Sequence, residues 1–302
     1  MFRAIGPKTN RGRETLTALL FATPWFIGMA LLAVGPIIMA GYYSLTDYHI
    51  MGAAKWVGLS NYRNLIHDDL FIRSLKNSGI YTVLAIPLSL VSSLGVALLV
   101  NRPFRGRNIA RTIIYLPSLF GGVFVAAIAG QLFSGNYGLV NRLLKLVHIQ
   151  GPQWIGSPEW AKPTFAVLGL WGLGAGMVLF LAALQSVPVH LLEAAIVDGA
   201  SPAQRFWNVT LPMLSPAILF QTILLLIGSF QVFTLTYVLT SGGPADSTLF
   251  TVYYIYQLSF QNFDMGYASA AAWVLLILTF AVTALVLLVG SRYVHYEFDG
   301  DS

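Results

Sequence analysis

Long apolar stretches alternate with short polar connections along the 302 residues of the chain. Each of six such stretches lacks Lys, Arg, Asp and Glu, and they lie at about 16–43, 77–100, 112–133, 164–185, 217–239 and 268–290. Every one reaches or exceeds the roughly 20 residues that a helix needs to cross a bilayer. The pattern therefore predicts an all-α, polytopic membrane protein with six transmembrane helices.

The polar segments outside these stretches set the expected domain organisation. We expect tails at residues 1–15 and 291–302, and a six-span domain over residues 16–290 with a long loop at 186–216. The first stretch is too long for the apolar region of a signal peptide and lacks an obvious small-residue cleavage pattern. We therefore expect it to be retained as a span.

Composition and charge agree with a membrane protein and predict its orientation. A hydrophobic content of 56% and a charged content of 10% are far from those of soluble domains. Ten of the 17 Lys and Arg residues lie in the two tails, the second connection and the 186–216 loop. The positive-inside rule places these segments in the cytoplasm. Because the basic residues flank spans and do not alternate with aromatic residues, nucleic-acid binding is not indicated.

The chemistry of the six stretches excludes several classes of function. They contain no Asp, Glu, His, Lys or Arg, which ion-coupled transporters usually carry inside the membrane. Their neutral polar and aromatic residues suit an uncharged, polyhydroxylated solute. No phosphate-binding G-x-x-x-x-G-K-[ST] loop is present, so ATP hydrolysis would come from another chain. The absence of cysteine and the scattering of the five His residues predict no catalytic, cofactor or metal site on this chain.

Three polar residues of the fifth stretch are candidates to line a pathway for solute. Gln231, Thr234 and Tyr237 stand three residues apart, which on a continuous helix confines them to an arc of about 120°. Ser229 and Thr236 point elsewhere, and we expect each to bond to a carbonyl one turn back.

Trp171 in the fourth stretch is a further candidate for the pathway, with an anchoring role at the membrane interface as the alternative. It is followed by Gly172, Gly174 and Gly176. These glycines either clear room for a ligand or let helices pack closely, and packing is the commoner role.

The loop at 186–216 has strong signals for two short helices separated by a turn. Gly199 can adopt the left-handed conformation that ends a helix. Ser201 and Gln204 are spaced as a capping box, with Pro202 at the first helical position. Leu211-Pro212 is expected to break or kink the second segment, and Ser215 to cap the helix after it.

Two roles for this loop remain open from its residues alone. Its first helix is rich in alanine and carries one acidic residue, so it is shaped to lie in the groove of a partner protein. An amphipathic helix resting on lipid headgroups is the alternative.

The same loop resembles the EAA motif of the permease subunits of binding-protein-dependent ABC importers. That motif, in the spacing found here, runs E-A-A-x-x-D-G-A, five variable residues, F and then L-P. The matching residues are Glu193, Ala194, Ala195, Asp198, Gly199, Ala200, Phe206, Leu211, Pro212 and Pro216. Val209 is a mild departure, since Ile is commoner at that position.

Other stretches resemble the carbohydrate branch of this family, of the maltose and glycerol-phosphate type. They are "YYSLTDY", "GLSNYRNL", "FRGRNIARTIIYLP", "LTSGGPADST" and "FDMGYASA". The large periplasmic insert of the enteric maltose permease is missing, because the connection at about 44–76 is short. The resemblance extends over nearly the whole chain.

The resemblance implies a type I importer permease fold, with five core helices around a shared pathway and the first span wrapped around a neighbouring subunit. The implied partners are a second homologous permease, a cytoplasmic ATPase dimer, an extracytoplasmic solute-binding protein, a sugar and membrane lipid. ATP and Mg would bind to the ATPase, so no cofactor is expected on this chain. The implied location is the cytoplasmic membrane of a bacterium or archaeon.

The resemblance also implies roles for single residues. Glu193 would pair with a basic residue of the ATPase, Gly199 would allow the turn, and Asp198 would brace the loop through backbone amides. The sugar would be held near mid-membrane by the fourth and fifth spans. A stand-alone channel or facilitator for small uncharged solutes is the alternative function, and it would not need the cytoplasmic loop.

Overall fold

The structure is a computed structural model that describes residues 10–50 and 52–292. Two compact units are distinguished, one formed by the chain up to Asn64 with Leu258–Trp273, the other by Leu65–Gln257 with the chain from Val274 onward. The first nine residues and the last ten, which contain most of the two predicted tails, lie outside the described residues.

The first unit begins with a long helical segment. It consists of α1 Asn10–Met29, a π-helical stretch Ala30–Val34 and α2 Gly35–Tyr43. A two-stranded antiparallel ladder of β1 Thr46–Asp47 and β2 Lys55–Trp56 follows, and then α3 Ser60–Leu65.

A buried asparagine in the "GLSNYRNL" stretch joins these pieces of the first unit. The Asn61 amide donates hydrogen bonds of 2.9 Å to the carbonyl oxygens of Ser44 and Thr46. The Tyr62 hydroxyl donates to the Ser44 hydroxyl at 2.7 Å. This stretch therefore holds α3 against the end of the first span.

The second unit contains most of the helices. In chain order they are α4 Asp69–Asn101, α5 Arg107–Tyr115, α6 Gly122–Leu132, α7 Leu139–Leu146, α8 Pro158–Gly169, α9 Leu173–Ser186, α10 Val189–Val197, α11 Pro202–Arg205, α12 Leu211–Met213, α13 Ser215–Phe230 and α14 Thr251–Tyr256. Short 3-10 segments lie at Leu116–Leu119 and Leu170–Gly172, and π-helical segments at Phe206–Thr210 and Thr236–Thr240. A further π-helical segment, Gln257–Gln261, lies in the first unit except for Gln257. The last helix, α15 Met265–Gly290, begins in the first unit and ends in the second.

Helix α4 is the centre of the second unit and packs against α8, α9, α13 and α14. Its buried face is made of small and polar residues, including Ser74, Asn77, Ser78, Thr82, Ser89, Ser93 and Ala97. Hydrogen bonds join the hydroxyls of Ser78 and Thr251 at 3.0 Å and of Thr82 and Ser229 at 2.9 Å. In lipid, close packing of small residues and interhelical hydrogen bonds hold helices together, because the hydrophobic effect does not act between them.

The described residues contain four helices long and apolar enough to cross a membrane, or six if each of two bent pairs is one span. The four are Thr17–Tyr43, Asp69–Asn101, Pro158–Ser186 and Met265–Gly290. The bent pairs are Arg107–Leu119 with Gly122–Leu132, at 98°, and Pro202–Met213 with Ser215–Phe230, at 64°. The higher count equals the predicted number of spans.

The prediction of one continuous helix over 217–239 is wrong. Helix α13 ends at Phe230, and regular helical structure is interrupted until Thr234. Gly228 and the β-branched and aromatic residues that follow it have poor helix propensity, which explains the break. Ser215 is also not a side-chain cap, because its hydroxyl donates to the Pro212 carbonyl at 2.6 Å.

Candidate coupling loop and translocation path

The loop at 186–216, called the EAA loop from here on, has helix α10 as its first half. This helix ends as predicted at a left-handed glycine. Gly199 has φ +76°, and its N–H donates to the Ile196 carbonyl at 3.0 Å. The Ala200 N–H donates to the Ala195 carbonyl at 2.9 Å. These two bonds form the Schellman motif, which satisfies the last carbonyls of the helix.

The second half of the loop starts at the predicted capping box. The Ser201 hydroxyl accepts from the Gln204 N–H, and the Gln204 side chain accepts from the Ser201 N–H at 2.8 Å. After α11 the chain passes through the π-helical segment and α12, and it bends by 64° at Leu214 into α13. The loop therefore has a defined shape that comes from its own caps.

The exposed part of the loop combines small residues with two free carboxylates. Glu193, Ala194, Asp198 and Gly199 are exposed, and the neighbouring Val197 side chain is 87% exposed. In the described chain neither carboxylate forms a hydrogen bond or an ion pair. The predicted bracing of the loop by the Asp198 side chain is thus not observed, and both carboxylates are available to cationic groups of another molecule.

The remaining motif residues lie deeper in the loop. Ala195, Ala200, Phe206, Leu211 and Pro212 are each half-buried. The Phe206 ring meets the Trp207 ring edge-on, with centroids 5.4 Å apart. These residues contribute to the packing of the loop, whereas Glu193, Ala194, Asp198 and Gly199 are open to solvent.

Gln231 lies at the break in the fifth span. It is the C-terminal capping residue of α13, its side chain is exposed, and it makes no side-chain hydrogen bond within residues 10–50 and 52–292. An exposed amide at a helix break offers both a donor and an acceptor to a ligand hydroxyl.

Thr234 and Tyr237 do not continue a stripe from Gln231, because the helix is interrupted between them. The Thr234 side chain packs on Gly122 of α6, where a Cβ atom would lie 3.2 Å from it. The Tyr237 side chain is 47% exposed and stacks on Phe233, with ring centroids 5.4 Å apart. The predicted 120° arc on one helix is therefore wrong, although Gln231 and Tyr237 are both exposed.

Trp171 lies apart from these three residues. It sits in the 3-10 break of the fourth span, and its indole N–H is buried with no acceptor among the described residues. It lines an apolar cavity of about 450 Å³ with residues of the third span, including Ile128, Leu132 and Phe133. None of the fifth-span candidates lines this cavity.

The glycines after Trp171 serve mainly to pack helices. A Cβ atom on Gly174 would lie 2.7 Å from the Ile114 carbonyl oxygen, and one on Gly176 would lie 2.7 Å from the Ser93 hydroxyl. A Cβ atom on Gly172 would have no described residue within 4 Å other than its neighbours along the chain. Close packing therefore explains two of the three glycines, and only Gly172 faces open space.

Sequence reasoning missed an aromatic cluster around Tyr237. Phe233, Tyr253 and Tyr256 contact it or each other, with ring centroids 5.2 to 6.4 Å apart. The "TVYYIY" stretch of α14 was the available signal, but its partner residues became visible only in the fold.

A lysine also missed from the sequence holds the loop that follows the fifth span. The Lys162 ammonium donates to the Asn77 side-chain oxygen at 3.2 Å and to the Ser247 carbonyl at 2.9 Å. The Asn77 amide donates to the Asp246 carbonyl at 2.7 Å, and Arg73 forms an ion pair with the Asp246 carboxylate at 2.8 Å. The "SGGPADST" turn is therefore fastened to α4 and α8.

Residues 75–295 match the family described as binding-protein-dependent transport system inner membrane component. The chain belongs to this family. As a family member it is similar to the probable ABC transporter permease protein YesP of Bacillus subtilis, at 38% identity over 94% of each chain. It is also similar to the sulfoquinovosyl glycerol transport system permease protein SmoG of Agrobacterium fabrum, at 34% identity over 91% of this chain and 90% of that one. It is similar as well to the sn-glycerol-3-phosphate transport system permease protein UgpA of Yersinia pestis, at 30% identity over 92% of this chain and 95% of that one.

The fold of this family member is also seen in a solved ABC transporter. A chain of the bacterial alginate ABC transporter, crystallised with an alginate pentasaccharide-bound periplasmic protein, superposes with a TM-score of 0.80. The match covers 94% of this chain and 96% of the other at 24% identity, so it bears on the fold alone. This match confirms the expected all-α permease fold, and the family match over residues 75–295 confirms the family resemblance.

Proposed function

We propose that the chain is a permease subunit of an ATP-driven importer for a sugar or related polyol. Membership of the binding-protein-dependent family supports import, and relatives named for sulfoquinovosyl glycerol and sn-glycerol-3-phosphate transport support a polyhydroxylated solute. The neutral Gln231 amide at the helix break supports hydroxyl recognition. The chain acts as a transporter subunit and not as an enzyme.

The observation that carries the coupling proposal is the exposed end of α10. Glu193, Ala194, Asp198 and Gly199 present small side chains and free carboxylates on a helix that packs only weakly on the rest of the described chain. In the proposed complex this surface enters a cleft of a cytoplasmic ATPase, where Glu193 pairs with a basic side chain. ATP and Mg bind to the ATPase dimer, whose closure moves the loop as a rigid body.

The proposed complex has two further protein components. A second homologous permease completes the pathway, and an extracytoplasmic solute-binding protein delivers the sugar. Large exposed side chains on the first span, such as Phe21 at 84% and Leu32 at 82%, support its packing on the second permease or on lipid. Both termini lie in the cytoplasm of a bacterial or archaeal cell.

Reconstitution tests the proposal. The chain is produced with a second permease, an ATPase and a solute-binding protein from the same organism, and uptake of labelled sugars is measured in vesicles. We expect uptake to require ATP and the binding protein. Uptake by vesicles that contain this chain alone would instead establish a stand-alone facilitator.

The coupling surface is tested in the same complex. Glu193→Ala should reduce recovery of the ATPase with the permease, because it removes the proposed charge partner. His190→Ala is the matched control, since this exposed residue lies on the same helix outside the motif. Equal ATPase recovery with both variants would contradict the role of Glu193.

A further inference from the structure

Helix α7, Leu139–Leu146, exposes an apolar stripe to at least half of its surface. Leu139, Leu143 and Leu146 follow one another at four- and three-residue spacing, so they share one face of the helix. Their side chains are 50%, 56% and 75% exposed, and Val147 just after them is 63% exposed. A contiguous exposed apolar surface of this kind indicates contact with a membrane or with another protein.

The opposite face of α7 is fixed by a buried asparagine. Asn141 is 4% exposed, and its amide nitrogen donates to the Gly135 carbonyl at 2.8 Å and the Pro152 carbonyl at 3.1 Å. Its side-chain oxygen accepts from the Trp154 indole at 2.6 Å. The helix cannot turn its leucines inward without breaking these bonds, so their outward direction is built into the fold.

Aromatic residues place α7 level with a membrane surface. The Trp154 ring that bonds to Asn141 also meets the Trp160 ring, with centroids 5.3 Å apart. Trp160 lies in the first turn of α8, where the fourth span begins, and is 42% exposed. Tyr137, shortly before α7, is 59% exposed. Trp and Tyr concentrate where spans leave the hydrocarbon, so this chain of contacts fixes the depth of α7.

The charges beside the stripe match a lipid surface. Arg142 and Lys145 are exposed on the flank of the leucines, and neither forms an ion pair within the described chain. Cationic side chains next to an apolar stripe reach phosphate groups while their stems stay in the apolar layer. A solute-binding protein is the alternative occupant of the stripe, but each time it released the permease it would leave the leucines in water. Membrane lipid would cover them at all times.

We propose that α7 is an interfacial helix that lies on the bilayer at the end of the third span. Leu139, Leu143 and Leu146 enter the boundary of the acyl chains, and Arg142 and Lys145 contact lipid phosphates. The helix thereby ties the connection between the third and fourth spans to the membrane surface. This role is independent of the transported solute and of the ATPase.

Spin labels on single cysteines test the proposal, because the native chain contains no cysteine. Labels are placed at Leu139, Leu143 and Leu146 of the full chain in vesicles of phosphatidylethanolamine and phosphatidylglycerol. Collision rates with oxygen and with a polar nickel complex are then measured. Val83, 72% exposed on the second span, is the lipid control, and the exposed Ala203 in α11 is the water control.

We expect the three stripe labels to collide with oxygen as often as the Val83 label does. Collisions with nickel should be about tenfold or more below those at Ala203, because a polar complex is excluded from the acyl layer. Frequent nickel collisions at the stripe would show a water-exposed helix and overturn the proposal. Low collision rates with both reagents would overturn it in favour of a protein partner.

A charge-reversal variant provides a second measurement. Arg142→Glu with Lys145→Glu should raise nickel collisions at a Leu143 label, since repulsion from lipid phosphates lifts the helix. The Ala203 label should be unchanged. An unchanged Leu143 label would contradict the role of the two cations.

Discussion

Replacement of Gly199 tests the geometry of the coupling loop most directly. Gly199 has φ +76°, and among the described residues no heavy atom beyond Gly199 and its two chain neighbours lies within 4 Å of the position that a Cβ atom would take. A small side chain therefore meets no clash with the described part of the chain, and its effect comes from the backbone. In the left-handed region an L-residue costs about 1–2 kcal/mol relative to glycine, and asparagine is the residue that tolerates it best.

The free-energy cost of the left-handed conformation acts on the local equilibrium between the closed and the open turn at Gly199. The turn is closed by the Ala200 to Ala195 bond of 2.9 Å and the Gly199 to Ile196 bond of 3.0 Å, and α10 packs weakly on its surroundings. A change of about 1–2 kcal/mol shifts the balance between closed and open turn by a factor of about 5–30. If only the closed turn binds the ATPase, the apparent Kd rises by at most that factor. The thermal midpoint of the permease should hardly change.

Titration of the ATPase onto the permease complex in nanodiscs measures this effect. Gly199→Ala should raise the apparent Kd by up to that factor, Gly199→Asn should raise it less, and His190→Ala should leave it unchanged. Asparagine weakening binding more than alanine would refute the backbone argument and point to a clash with the ATPase. An unchanged Kd for Gly199→Ala would refute the need for the left-handed turn.

Three further predictions concern packing, the pathway and topology. Gly176→Ala should destabilise the permease by about 1–3 kcal/mol through overpacking against Ser93, measured as a lower thermal midpoint in detergent. Gly172→Ala is the control and should leave that midpoint unchanged, because open space surrounds Gly172. Gln231→Leu should reduce sugar uptake about tenfold while complex yield is kept, because a lost hydroxyl partner costs about 1–3 kcal/mol; a parallel fall in yield would show a structural role instead. Reporter fusions at Glu159 should be extracytoplasmic and fusions at Gln204 cytoplasmic, and the same location for both would contradict the predicted orientation.

Local signals in the sequence were sufficient to predict the turn and the capping box of the EAA loop. Gly199, Ser201 and Gln204 form the turn and the capping box that their identities and spacing predict. Such motifs depend on a few neighbouring residues, so no distant contact is needed to specify them. The same local reasoning failed at Ser215, where a hydrogen bond to Pro212 replaced the expected cap.

The proposed pathway depended on information that periodicity does not carry. Apolar length predicted a fifth span, but the helix ends at Phe230 and Thr234 packs on Gly122 of another span. Nothing in the stretch itself shows that Gly122 leaves room for that side chain. Similarly, the place of Trp171 in a cavity facing the third span follows from contacts between segments far apart in sequence.

The sequence by itself determined the class of the protein, the number of apolar segments and the turns of the EAA loop. Apolar length, helix caps and left-handed glycines act over one or two turns, so they can be recognised in the sequence. Only the tertiary structure decided which glycines pack, which polar residues are exposed, and that Lys162 fastens the loop after the fifth span. Those outcomes depend on helices meeting across the fold, where small residues and polar pairs select the contacts.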